Sequence, residues 1–126
     1  MRKSIAVALA AVAALAFAVP AATAKEGDVI RRGSCSGSSD WKLKLSPEDG
    51  RIEVELEVDQ NQVGDRWRVR IRHDGELAFR GARRTSGPSG SFEVRIVEPD
   101  RSGLDQFRAR ARNVSTGEVC SAAATF

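Results

Sequence analysis

The sequence predicts an all-β fold, an antiparallel β-sandwich of seven or eight strands that follows an N-terminal signal peptide. Two observations carry this prediction. After residue 24, apolar and polar residues alternate with a period of two, and helical periodicity is nearly absent. The alternating segments recur about every 10 residues, separated by turns rich in Gly, Pro, Asp and Ser, a spacing typical of a sandwich.

The first 24 residues have the organisation of a secretory signal peptide. Arg2 and Lys3 precede an uncharged apolar run that ends at Pro20, and Ala22-Thr23-Ala24 supplies small residues for cleavage after the triplet. The run is shorter than the ~20 residues that span a bilayer, so we expect secretion to the extracellular space without stable membrane insertion. The mature chain would comprise residues 25–126, enough for one domain with a modest core.

Within the mature chain, residues 25–40 form a Gly- and Ser-rich segment with a possible first strand, and residues 41–126 form the sandwich domain. The only two cysteines, Cys35 and Cys120, lie in the exported part. An even count in an oxidising compartment predicts one disulfide, which would tie the first and last parts of the domain together. Their spacing is not that of a CxxC redox pair, which disfavours a reactive thiol site.

Three alternating segments open the domain. WKLKL at residues 41–45 directs its apolar side chains to one face, and RIEVELEV at 51–58 sets three Glu side chains against four apolar ones. SPEDG at 46–50 predicts the turn between them. After the polar loop DQNQVGD at 59–65, RWRVRIR alternates four arginines with Trp67 and two aliphatic residues.

The second half of the domain repeats this pattern. The Asp-Gly pair of HDGE tolerates the positive φ of a tight hairpin, and ELAFRGA at 76–82 forms the next strand. TSGPSGS at 85–91 is a loop, and FEVRIVE at 92–98 is a strand ended by a proline. QFRARARN at 106–113 alternates three arginines with small apolar residues, and EVCSAAATF at 118–126 closes the chain.

Two of these segments resemble immunoglobulin-like and fibronectin-type-III-like β-sandwich domains. DQFRARARN followed by STGE is similar to their F–G region, and WRVRIRHDGEL is similar to their strand C and the turn after it. The matching residues are Asp105, Phe107, Ala109, Ala111, Asn113 and Gly117 in the first segment and Trp67, Val69 and Gly75 in the second. The resemblance covers most of residues 41–126 and implies an immunoglobulin-like sandwich in which these two strands are neighbours.

The chain departs from that family pattern at two places. Phe107 stands at the corner where a Tyr hydroxyl would form a hydrogen bond, and Ala109 stands where antibody domains have their second inter-sheet Cys. A Cys35–Cys120 bridge would instead join the terminal strands. The chain as a whole also resembles small secreted proteins of actinobacteria, a likeness that implies no activity.

The pairing partner of RWRVRIR decides what its arginines do. In a simple meander it would pair with RIEVELEV, and Glu53, Glu55 and Glu57 would neutralise it. In the implied sandwich, which we favour, it would neighbour QFRARARN, and the Glu strand would lie on the other sheet. Seven arginines would then share one outer face: Arg66, Arg68, Arg70, Arg72, Arg108, Arg110 and Arg112. Because opposed like charges destabilise a sheet, such a face would need acids from Glu76 or Glu118, counter-ions or a bound anion.

Signals for catalysis or metal binding are weak. His73 is the only His, lies beside the Asp-Gly turn and is interpreted as an exposed turn residue, and a single His without a nearby nucleophile builds no hydrolytic triad. DQNQVG at 59–64 resembles the start of a Ca²⁺ loop, but Val63 occupies a ligand position and no helices flank it. We therefore expect no enzymatic activity, no cofactor and no metal.

The charge balance limits the possible partners. The whole chain has 20 basic and 17 acidic residues, and removal of Arg2 and Lys3 leaves 18 − 17 = +1, which gives little global attraction to nucleic acid or anionic membranes. We expect a secreted, non-catalytic interaction module that binds an extracellular protein or an anionic polymer through its arginine-rich sheet face, with no specific nucleic-acid partner. The alternative is a secreted protease inhibitor that presents a rigid loop, either DQNQVGD or TSGPSGS.

Overall fold

A computed structural model describes residues 25–126, so the predicted signal peptide, residues 1–24, lies outside the described residues. The described chain consists of strands and loops. The strands are β1 (Val29–Ser34), β2 (Asp40–Glu48), β3 (Arg51–Asp59), β4 (Arg66–His73), β5 (Glu76–Arg84), β6 (Ser91–Pro99), β7 (Gln106–Asn113) and β8 (Val119–Thr125). Within residues 25–126, no helix is long and apolar enough to cross a membrane.

The strands form two antiparallel sheets of four, with the orders β1-β2-β3-β6 and β5-β4-β7-β8. The sheets stack so that β1 lies near β8 along one side and β5 lies near β6 along the other. The predicted all-β sandwich is therefore confirmed, and the arrangement is compatible with an immunoglobulin-like fold. Because β3 and β4 belong to different sheets, RIEVELEV and RWRVRIR do not pair, and the meander alternative is wrong.

The core lies between the sheets and is built from every second residue of the strands. It contains Leu43, Leu45, Ile52, Val54, Leu56, Val58, Trp67, Val69, Ile71, Phe92, Val94, Phe107, Ala109, Ala111, Cys120, Ala122 and Ala124. Trp67 and Phe107 are fully buried, as their position in the alternation predicts. Strands β7 and β8 contribute mainly alanines to the core, so the larger side chains from the opposite sheet fill the space above them.

The predicted disulfide is confirmed. Cys35 follows β1 and is bonded to Cys120 in β8, across a sequence separation of 85 residues. Because β1 and β8 are edge strands of different sheets, the bond joins the two layers on one side of the sandwich. It is consistent with an extracellular location.

The predicted turn SPEDG is shorter than expected. Ser46, Pro47 and Glu48 belong to β2, whose pairing with β3 continues to Glu48 opposite Arg51. Asp49 and Gly50 alone form the turn, with φ of 49° and 75°, because two residues at positive φ suffice for a hairpin of this twist. The proline is accommodated because β1 pairs with β2 only as far as Leu45, before the proline.

Candidate anion-binding face

The two arginine-alternating strands, β4 and β7, are direct neighbours. Their register places Arg68 opposite Arg112, Arg70 opposite Arg110 and Arg72 opposite Arg108. In an antiparallel sheet, such partners have Cα atoms about 4.5–5.5 Å apart and side chains on the same face. The seven arginines singled out from the sequence are therefore brought together on the outer face of one sheet: Arg66, Arg68, Arg70, Arg72, Arg108, Arg110 and Arg112.

Strand β5 adds two arginines that the sequence pattern alone did not assign to this face. Arg84 lies opposite Arg66, and Arg80 lies opposite Arg70. Arg70 therefore has an arginine on each side, in the row Arg80, Arg70, Arg110. We call the seven β4 and β7 arginines together with Arg80 and Arg84 the Arg face.

The side chains of the Arg face are exposed and have no carboxylate partner among residues 25–126. All nine arginines are exposed to solvent. Among residues 25–126, none of the nine lies within ion-pair distance of a carboxylate. Two of them, at opposite ends of the face, donate hydrogen bonds to backbone carbonyls: Arg72 to Gly75 at 3.1 Å and Arg84 to Gly64 at 2.9 Å. The positive charge of this face is therefore uncompensated within the described chain.

Glu76 and Glu118, the two acids considered as a source of counter-charge, bind other groups. Glu76 accepts a hydrogen bond from the guanidinium of Arg101 at 3.0 Å. Glu118 accepts hydrogen bonds from the backbone N–H and the hydroxyl of Ser39, at 3.0 and 2.6 Å. Of the three possible sources of counter-charge, the two acids therefore form no ion pair with the Arg face among the described residues, which leaves counter-ions or a bound anion.

The Arg face contains a shallow open depression of about 590 Å³. Ala82 on β5 lies directly opposite Arg68, between Arg80 and Arg84 along its own strand. Its short side chain leaves room among the surrounding guanidinium groups, and arginines of β4, β5 and β7 line the rim. The depression is thus open to solvent and bordered by positive charge from three adjacent strands.

The outer face of the other sheet has a different charge arrangement. Lys44 lies opposite Glu55 across β2 and β3, with 3.7 Å between its Nζ and the carboxylate. Arg95 on β6 forms ion pairs with both Glu53 and Glu55. The hydrogen bond from Arg95 lowers the pKa of Glu53 to about 2, whereas burial and the hydrogen bond with Glu53 raise the pKa of Glu55. Opposite charges therefore neutralise each other at the centre of this face, whereas Glu57 lies opposite Glu93 in the next row.

His73 is fully buried, so its interpretation as an exposed turn residue is wrong. It is the last residue of β4 and continues the inward parity of Trp67 and Ile71, a signal in the sequence that the adjacent Asp-Gly turn obscured. Its ring stacks on Phe107 with 4.3 Å between centroids. Nε2 lies 2.6 Å from the Asp105 carboxylate and Nδ1 lies 3.2 Å from the Glu98 carboxylate.

The His73 cluster is a structural anchor at one end of the sandwich. Burial raises the pKa of Asp105, but hydrogen bonds from His73 and from the backbone N–H of Arg101 outweigh it and leave this pKa below its ordinary value. His73, Asp74 and Asp105 could together offer ligand atoms to a metal ion. Both ring nitrogens of His73 already face carboxylate oxygens within the protein, however, which favours a structural role for this cluster.

The two loops considered for protease inhibition lie side by side. Gln60 N–H donates to the Gly90 carbonyl at 3.0 Å, and Gly64 N–H donates to the Thr85 carbonyl at 2.8 Å. A Cβ on Gly90, whose φ is +73°, would lie 2.3 Å from the backbone nitrogen of Gln62, so only glycine permits this contact. The loops DQNQVGD and TSGPSGS therefore brace each other through their backbones.

Comparison of the sequence with protein-family models, with curated proteins and with solved structures finds no match.

Proposed function

We propose that this protein is a secreted, non-catalytic interaction module with an immunoglobulin-like or fibronectin-type-III-like sandwich, which binds an extracellular protein or anionic polymer through its Arg face. The single observation that carries the proposal is the register of β4 and β7, which sets three pairs of arginines directly opposite each other without acids between them. Like charges in this position destabilise a sheet. A bound anion would remove that repulsion. The Arg face would then gain stability from binding an anion, which supports its role as a binding site.

The family resemblance is supported by strand pairing. The segments that resemble strands C and F, β4 and β7, are hydrogen-bonded neighbours, as the resemblance implies. Secretion is supported by the signal-peptide pattern and by the disulfide. N-terminal sequencing of the protein recovered from the medium, after expression of the full-length chain, should begin at Lys25. Retention of Met1 in exported or cell-bound protein would contradict cleavage after Ala24.

The proposal of a non-catalytic role rests on the use of the single histidine. His73 is buried between two carboxylates and stacked on Phe107, so its ring nitrogens are engaged in structural hydrogen bonds. A general base must reach the proton that it abstracts, and this side chain has no path to a substrate in the described structure.

The binding role is tested with a panel of anionic polymers at two salt concentrations. The secreted protein should bind at least one of an acidic polysaccharide, a teichoic acid or a nucleic acid, more weakly at high salt. The double variant R70Q/R110Q should weaken binding, whereas R31Q/R51Q should not, although both remove the same charge. Arg31 and Arg51 are exposed on the opposite sheet and make no ion pair among the described residues. Equal weakening by both variants would exclude the Arg face as the binding site.

A second candidate function is a secreted protease inhibitor. The observation that favours it is the mutual bracing of the loops at 59–65 and 85–91, because a rigid loop is ordered before binding. Val63, which is 58% exposed, lies in the first of these loops. Inhibition of one member of a panel of serine and metalloproteases, abolished in V63D and retained in R70Q/R110Q, would favour this function. Lack of inhibition of every protease in the panel would exclude the inhibitor function.

A further inference from the structure

The spacing and pairing of the arginines suggest the chemistry of the ligand. Resting on the proposed binding role of the Arg face, we propose that its ligand is an extended phosphodiester chain, bound through its backbone phosphates along the direction of β4 and β7. The three arginine pairs form three successive rows, Arg68 with Arg112, Arg70 with Arg110 and Arg72 with Arg108. Each row holds one phosphate, so consecutive phosphates of one chain occupy consecutive rows.

The period of the rows matches the period of such a chain. Arginines in successive rows are two residues apart, which corresponds to about 6.8 Å along a strand. Two residues of a strand comprise about six backbone bonds. An extended phosphodiester polymer with a three-carbon path between oxygens also has about six bonds from one phosphorus to the next, so its phosphates recur at a similar interval. Polymers with a nucleotide backbone and polymers of glycerol phosphate share this repeat.

The pairing of guanidinium groups within a row favours a tetrahedral anion. A planar carboxylate is satisfied by one guanidinium fork, which meets both of its oxygens in one plane. A phosphodiester has two free oxygens that point to different sides, so two forks from opposite strands can each bind one of them. In the central row, Arg80 adds a third guanidinium beside Arg70 and Arg110.

The face lacks the groups that would recognise bases. Binding of single strands through bases requires exposed aromatic rings for stacking, and Trp67 and Phe107, the rings of β4 and β7, are fully buried. The neighbouring residues on the adjacent strands are not aromatic: Ala82 and Leu77 lie opposite Arg68 and Arg72 on β5, and Val119, Ser121 and Ala123 lie opposite β7 arginines on β8. Recognition therefore rests on phosphates alone and is independent of base identity.

The experiment compares four polymers of similar length at several salt concentrations: a single-stranded oligonucleotide, the abasic oligonucleotide, poly(glycerol phosphate) and polyglutamate. Polyglutamate in an extended form repeats its same-side charges at the same interval, so it isolates the effect of the anion's shape. The secreted protein should bind the oligonucleotide and its abasic form equally within about threefold and should also bind poly(glycerol phosphate). It should bind polyglutamate at least about tenfold more weakly, since each carboxylate engages only one of the two guanidinium forks in a row. The ratio of its affinities for the oligonucleotide and for poly(glycerol phosphate) indicates which of the two polymers the natural ligand resembles.

Salt dependence and two double variants measure the number of rows engaged. With three phosphates bound, the logarithm of the affinity should fall with the logarithm of salt with a slope of about −2, and R70Q/R110Q should reduce that slope by about 0.7. R70K/R110K keeps the charge but removes the forks, so it should retain the slope and bind about tenfold more weakly. R31Q/R51Q is the matched control, and circular dichroism confirms that each variant is folded.

The outcomes separate the ligand class from the binding role. Binding of polyglutamate as tight as that of poly(glycerol phosphate), lost in R70Q/R110Q, would overturn the phosphodiester assignment and leave the Arg face as a general anion-binding surface. Binding of the oligonucleotide without its abasic form would overturn the backbone mode. Absence of salt-sensitive binding to all four polymers would overturn the phosphodiester assignment, and failure of the acidic polysaccharide as well would remove anionic-polymer binding from the proposed function.

Discussion

The two outer faces of the sandwich both carry many charged side chains, but the charges are paired differently on each face. On the sheet β1-β2-β3-β6, Lys44 and Arg95 lie against Glu53 and Glu55, and the charges cancel within the protein. On the sheet β5-β4-β7-β8, arginine lies against arginine in successive rows. A net charge of +1 in the predicted mature chain therefore conceals an uneven arrangement of charge, since one face contains ion pairs and the Arg face contains none among the described residues.

The largest expected effect on stability comes from breaking the disulfide that joins the two sheets. Reduction of Cys35–Cys120 should lower the free energy of unfolding by about 4–5 kcal/mol, because the bond closes a long loop of the unfolded chain. Urea unfolding with and without reductant measures this loss, and C35S/C120S should match the reduced protein. An unchanged melting temperature in reductant would show that the charge pairs and core hold the two sheets together without the bond.

The next effect concerns the buried contact between His73 and Asp105 at one end of the Arg-face sheet. H73Q should destabilise the fold by about 3 kcal/mol, because it leaves the buried carboxylate of Asp105 without its hydrogen-bond partner. D105N should cost less when combined with H73Q than alone, because the two residues form one hydrogen-bonded unit. Thermal and urea unfolding of the three variants provides the test. A loss below about 0.5 kcal/mol for H73Q would match an exposed turn residue instead.

The contributions of the two faces to stability should depend differently on pH in the acidic range. The folded-state pKa of Glu53 is about 2, below its ordinary value of 4.5, so its ion pair with Arg95 contributes stability above pH 4.5 that is lost as the pH falls toward 2. Because Arg95 is exposed, the contribution is at most about 1 kcal/mol. Glu55, whose pKa is raised, changes stability in the opposite sense and reduces the net effect.

Urea unfolding between pH 7 and pH 2 measures this dependence. E53Q should flatten the acidic part of the stability curve, whereas R70Q/R110Q should retain the wild-type shape because its sites face no carboxylate. A flattened curve in R70Q/R110Q would indicate an acid paired with the Arg face and would remove the contrast between the sheets.

The smallest expected effect on stability comes from adding a negative charge to the Arg face. Ala82 lies opposite Arg68, so A82E should place a carboxylate among the guanidinium groups and raise the free energy of unfolding by about 0.2–1 kcal/mol at low salt. The neutral variant A82Q has a side chain of similar size and serves as the control. If A82E and A82Q are equally stable at low salt, the arginines of this face are too well solvated to repel one another.

Much of this fold follows from the sequence because alternation and turn chemistry act locally. The period of two assigned the strands, and the parity of Trp67 and Phe107 placed both rings in the core. The choice between β3 and β7 as neighbours of β4 was beyond periodicity, since both strands have a suitable apolar face. That choice depended on the resemblance to immunoglobulin-like domains. The order of strands in a sheet is set by the connections between them, and the alternation of apolar and polar residues carries no information about those connections.

The features that the sequence did not predict depend on contacts between distant segments. The irregular register between β4 and β5, located between Ile71 and Arg72, determines which β5 residues share the outer face, so Arg80 and Arg84 were not assigned to it. The engagement of Glu118 by Ser39 depends on how the first loop packs on the last strand. His73 shows a different case, because parity indicated burial and the neighbouring turn residues outweighed that signal.

The central claim is that the positive charge of the Arg face is uncompensated in the free protein and is neutralised by a bound phosphodiester. Thermal unfolding of the wild type and R70Q/R110Q at low salt, with and without poly(glycerol phosphate), tests this claim most directly. Without polymer, R70Q/R110Q should be the more stable protein, by about 0.5 kcal/mol, because the crowded central row is relieved. With polymer, the wild type should gain stability through ligand binding and overtake the variant. A variant that is less stable without polymer, together with a wild type that polymer does not stabilise, would contradict the account.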